Sequence, residues 1–118
     1  VQFIWNKTIR SAKYMFYECT NIIEIDCSNF NTSLINDMDS MFYGCSSLIS
    51  IDLSNCNTSN VESIQSMFSG CSSLTSLNVS NFDTSSVNDM SEMFYECSSL
   101  TSLDLTFLCL KVAYLYLL

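Results

Sequence analysis

The chain has 118 residues, of which 12 are acidic and 4 basic, with a net charge of −8, no histidine, no proline and two glycines. Without histidine, Ser-His and Cys-His nucleophile systems are excluded, and Gly44 and Gly70 alone cannot make a glycine-rich phosphate loop. No basic residue lies between Tyr14 and Leu110, whereas every acidic one does, which disfavours nucleic acid because phosphate binding needs clustered Lys and Arg.

Taken from the start, the chain repeats itself. Met-Phe pairs stand at Met15-Phe16, Met41-Phe42, Met67-Phe68 and Met93-Phe94, always 26 residues apart. A cysteine follows each Met by four residues, at Cys19, Cys45, Cys71 and Cys97. Apolar columns run through Ile22/Leu48/Leu74/Leu100, Ile25/Ile51/Leu77/Leu103 and Cys27/Leu53/Val79/Leu105, with Phe30/Cys56/Phe82/Leu108 beyond them. Ile35/Val61/Val87 and Met38/Ile64/Met90 complete the unit. Residues 1–14 fit as a degenerate half-unit, with Val1, Ile4, Ile9 and Ala12 in matching columns. Four units follow at 15–40, 41–66, 67–92 and 93–106. A fixed period of this length is the mark of a stacked repeat architecture.

Each unit reads as a helical half and a strand. In "SNVESIQSMFSGC" the apolar residues Val61, Ile64, Met67, Phe68 and Cys71 share one face of a helix. Ser59 followed by Glu62 predicts a capping box, and Gly70 suits a helix stop. In "SSLTSLNVS" Leu77 and Val79 alternate with polar residues, which predicts a strand of about four to six residues bounded by Ser/Asn turn clusters. A single unit cannot bury its own apolar face, but stacked units can, so residues 1–106 form one domain. Strands lie about 4.8 Å apart and helices need about 10 Å, so the helix side should fan out and leave a parallel sheet on the concave face. The expected fold class is α/β, a solenoid of strand-plus-helix units.

The core of "LISIDLSNC" and "LTSLNVSNF" resembles the leucine-rich repeat pattern L-x-x-L-x-L-x-x-N/C. The longer line MF-x-x-CSSLTSLDLSNFDTSNV-x-x-M resembles the BspA-like leucine-rich repeats of surface proteins from bacteria and some protists, closely over 15–106 and loosely over 1–14. The resemblance implies a cell-surface or secreted location, and adhesion or protein binding. It implies no enzyme activity.

The candidate binding surface comes from the register. Asp26, Asp52, Asn78 and Asp104 share a column between inward apolar columns. Glu24, Ser50, Ser76 and Ser102 stand two residues earlier, and Ser28, Ser54, Ser80 and Thr106 two later. The strand face is thus a field of carboxylates and hydroxyls, which favours a basic protein partner, host or cell-surface. The alternative is a structural spacer within a longer array, with no ligand of its own. No cofactor is expected. Calcium wants six to eight oxygens in a cage, more than an open ladder offers, and zinc lacks both His and a C-x-x-C pair.

The cysteine column predicts reduced thiols serving as small apolar spacers, since stacked Cβ atoms about 4.8 Å apart exceed the roughly 3.8 Å of a disulfide. Cys27, Cys56 and Cys109 stand where other units use Leu, Val or Phe. Tyr17, Tyr43 and Tyr95 follow the Met-Phe stripe and suit either a partner anchor or packing between units. Sequons occur at Asn6, Asn31, Asn57 and Asn78. The chain begins at Val1, so its native start is expected to be missing. The apolar tail 107–118 leaves the repeat pattern and is too short to span a membrane. It reads as a cap, a truncated membrane or lipid anchor, or divergent fragment sequence, with a cap or fragment preferred. Membrane attachment is expected only through a missing or truncated anchor.

Overall fold

The computed structural model describes residues 9–101. Val1, Ile4, Asn6, Lys7, Ser102, Leu103, Asp104, Leu105, Thr106, Leu108, Cys109 and the tail 107–118 lie outside the described residues.

Three short strands are present among the described residues: β1 (Glu24–Asp26), β2 (Ser50–Asp52) and β3 (Ser76–Asn78). They pair in parallel in the order β1-β2-β3. Glu24 pairs with Ser50 and Ser50 with Ser76, and the same step joins Asp26, Asp52 and Asn78. A second parallel column, Ser11, Asp37, Ser63 and Asp89, bridges the other side of each unit. Both columns advance by the 26-residue period, so the repeat is a stacking register.

The helical half is a correction. The described residues contain no helix; residues 13–18, 39–44, 65–70 and 91–96 are runs of consecutive turns. The backbone explains why. Tyr14, Ser40, Ser66 and Glu92 hold φ between 52° and 59°, and four residues later Glu18, Gly44, Gly70 and Glu96 are again left-handed. A right-handed helix cannot contain such residues at every fourth position. Within a run, Met15 N–H donates to the Ala12 carbonyl, Tyr17 to Tyr14 and Cys19 to Phe16. These are three-residue closures, and positive φ at Tyr14 and Glu18 is what a type II turn requires at its third position.

The alternate N–H groups leave the unit altogether. Ala12, Tyr14, Phe16 and Glu18 donate to the carbonyls of Asp37, Asp39, Met41 and Tyr43 in the next unit, at 2.6 to 3.1 Å. The pattern recurs from Met38, Ser40, Phe42 and Gly44 to Ser63, Gln65, Met67 and Ser69. An α-helix spends these donors on carbonyls four residues back. Here they knit one unit to the next, so the turn side is a hydrogen-bonded ladder like the strand side.

This also removes the cause of the expected curvature. Phe16, Phe42, Phe68 and Phe94 stack face to face, with successive centroids 5.4, 5.4 and 5.9 Å apart. The turn side therefore advances by nearly the strand spacing, about half the width a helix occupies. The capping-box reading falls too. Ser59 donates both its N–H and its hydroxyl to Asn57 Oδ1, and Glu62 is exposed with its N–H on the Asn36 carbonyl.

The core lies between the two ladders. Met41, Phe42, Cys45, Leu48, Met67, Phe68, Cys71 and Leu74 are buried, as the register requires. So are Ile25, Ile51, Leu53 and Val79. Leu77, expected to be fully buried, is only partly so. The strands are three residues each, shorter than expected.

Candidate functional site

The strand face shows how the predicted residues are held. In β1 the side chains alternate exposed, buried, exposed, so Glu24 and Asp26 point outward while Ile25 enters the core. The parallel register places Ser50 and Asp52, then Ser76 and Asn78, beside them. These six residues line one shallow groove of about 450 Å³, together with Ser28 and Asn55. Among the described residues no basic side chain lines it. Ser102 and Asp104, the remaining predicted members, lie outside the described residues.

Two carboxylates of the groove, Asp26 and Asp52, each commit one oxygen to the backbone. Asp26 Oδ1 accepts the N–H of Ser28, and Asp52 Oδ1 that of Ser54, both at 2.9 Å. Asn78 Oδ1 accepts the N–H of Ser80 at 3.1 Å and its hydroxyl at 2.8 Å. Each is an Asx turn, in which a short polar side chain closes the backbone as the strand ends. The Ser28 hydroxyl, then its backbone N–H, hold the Asp26 carboxyl below the usual carboxylate range; Ser54 does the same for Asp52. Both groups stay ionised near neutrality.

Asx turns recur in a second column. Asn31, Asn57 and Asp83 accept the N–H groups of Ser33, Ser59 and Ser85. The sequon residues Asn31, Asn57 and Asn78 are therefore turn formers in this fold. A third column closes at Asp37 on Asp39 N–H and at Asp89 on Ser91 N–H.

Three structural roles escape a reading by residue type. The buried Thr32 and Thr58 hydroxyls donate to the carbonyls of Asn57 and Asp83 in the next unit. Their period was visible as part of the Asn-Phe-Asp-Thr-Ser motif, but nothing in it distinguished a buried rung from a surface turn. Asp39 joins three units: Oδ2 lies 3.6 Å from Lys13 Nζ, while Oδ1 accepts the N–H of Gln65 and the hydroxyl of Ser63. Asn81 Nδ2 donates to the Ser54 carbonyl beside the groove.

The cysteine column has a polar task besides its apolar one. Cys45, Cys71 and Cys97 donate their thiols to the carbonyls of Phe16, Phe42 and Phe68, each in the preceding unit, at 3.0 to 3.1 Å. Burial pushes the Cys45 and Cys97 thiols up to about 11, and Cys71 further. Cys27 is raised to about 12 and Cys56 to about 11 by the same cause. The six described cysteines are free thiols.

Tyr17 and Tyr43 stack with centroids 4.9 Å apart, which is packing between units, and Tyr17 remains exposed at its outer edge. Among the described residues no group of His, Cys, Asp and Glu is placed to hold a metal ion, and no helix is long and apolar enough to cross a membrane.

Strands in 26-residue register, a matching turn ladder and a shared core define a stacked repeat protein. Residues 10–109 match the family described as "Mycoplasma protein of unknown function, DUF285", and the chain belongs to that family. No curated protein matches. Among solved structures, the leucine-rich repeat protein TpLRR of T. pallidum is similar, with 18% identity and a TM-score of 0.38. The match covers 78% of this chain and 50% of that one, so this chain spans about half the length of that structure.

Proposed function

We propose that the chain is a non-enzymatic, protein-binding repeat module of the BspA-like kind, displayed at the cell surface or secreted. The groove on β1-β2-β3 is its contact surface. One observation carries this reading: six of the eight residues expected to bind line a single groove whose described lining holds three carboxylates and no basic side chain. A partner therefore presents Lys or Arg there, because burying unpaired carboxylates is expensive. The hydroxyls of Ser50 and Ser76 add hydrogen bonds that salt leaves largely intact.

The second reading, a spacer in a longer array, has its own support. Asp26 and Asp52 are already used to close their strands, so the acidic column has a structural reason to exist without a ligand. The double variant Asp26→Asn/Asp52→Asn separates the two. It keeps both turn acceptors, as Asn78 shows, and removes only charge. Its association with a Lys/Arg-rich peptide is measured at low and physiological salt against an acidic peptide of equal length. The binding module predicts that the basic peptide associates with the native chain and associates more slowly with the variant, with the difference shrinking as salt rises. Equal rates for both chains would leave the spacer reading standing.

A further inference from the structure

We draw no further inference here: the strongest candidate, the row of backbone N–H groups at Met90, Glu92, Phe94 and Glu96 at the last described rung of the turn ladder, finds no acceptor among the described residues, and nothing in the structure shows what covers it.

Discussion

Asp52 and Asn78 occupy one position in consecutive units and serve one purpose there. Each offers a side-chain oxygen to the N–H two residues on. An amide oxygen replaces a carboxylate oxygen in that bond, so Asp52→Asn is expected to change stability by no more than about 0.5 kcal/mol. Asp52→Ala removes the acceptor and should cost on the order of 0.5–1 kcal/mol, the low end for a hydrogen bond because water can take its place. Thermal denaturation of the two variants at pH 7 checks this; equal losses would assign the effect to charge and not to the turn. The pH dependence has a definite sign. The Asp52 carboxyl is held below its unfolded value of 3.8, so its contribution is present above that pH and is lost as pH falls through the folded value. The Asn variant should therefore lose less stability than the native chain on acidification below about pH 4. The thiols act at the opposite end of the scale. Cys45 is raised from 9.0 to about 11 by burial, so its contribution is complete below pH 9 and disappears as pH climbs toward 11. Buried and hydrogen-bonded, Cys45 and Cys71 should resist alkylation at pH 8 and react only on unfolding, in proportion to added denaturant. Rapid labelling of either thiol in the folded chain would contradict the geometry of the column.

At the level of elements, the strand positions were legible and the helical half was not, for one physical reason. An alternating strand leaves a period of two, and Ile25, Ile51 and Leu77 fell in the paired register that this period demanded. The spacing of Val61, Ile64, Met67, Phe68 and Cys71 is satisfied equally by a helix face and by a string of turns whose apolar residues all enter the core. What separates the two is backbone handedness, and that was masked. Of the eight left-handed positions among the described residues, only Gly44 and Gly70 are glycine; the others are Tyr14, Glu18, Ser40, Ser66, Glu92 and Glu96. Glycine at a presumed helix end was read as a stop when it is one member of a recurring turn column. The groove was legible to the extent that it follows from strand register, whereas the use of its carboxylates as turn acceptors needed atomic positions. The glycine column supplies a test. Gly44 has φ of +69°, and a Cβ there would lie 3.0 Å from Glu18 Cγ in the preceding unit. Gly44→Ala should therefore destabilise by about 1–2 kcal/mol, from the left-handed backbone with crowding added. In a helix interior the same change would stabilise by roughly 0.5–1 kcal/mol. A rise in melting temperature would contradict the left-handed backbone at Gly44.

The whole molecule is one junction used again and again. At each described step four backbone donors of the turn ladder cross to the next unit, the cysteine thiol crosses back, and a phenylalanine ring stacks on its counterpart. Because every junction has the same register, a complete unit should be removable where a partial one is not. Deleting residues 41–66 joins Ser40 to Met67. Phe16 N–H then meets the Met67 carbonyl in place of Met41, Cys71 replaces Cys45 over the Phe16 carbonyl, and β3 comes beside β1 in the old pairing. One position turns adverse: Asp89 takes the place of Ser63, which pairs with Asp37 and donates its hydroxyl to Asp39, and so brings a carboxylate where a hydroxyl had donated. The deletion is therefore best made with Asp89→Ser, which restores the donor. Two complete units, 15–40 and 67–92, remain with the partial ones at 1–14 and 93–106, together roughly the three units a stacked repeat needs to be stable. The shortened chain is expected to unfold cooperatively at a lower temperature, with a denaturant slope reduced in step with the surface it buries. Deleting residues 41–53 instead moves every later Met-Phe pair, cysteine and strand half a unit out of register, and that chain should show no cooperative transition. Circular dichroism on the two deletions, melted side by side, gives the comparison. Loss of folding in both would mean that stability depends on features particular to the 41–66 unit, and that the junctions are not interchangeable.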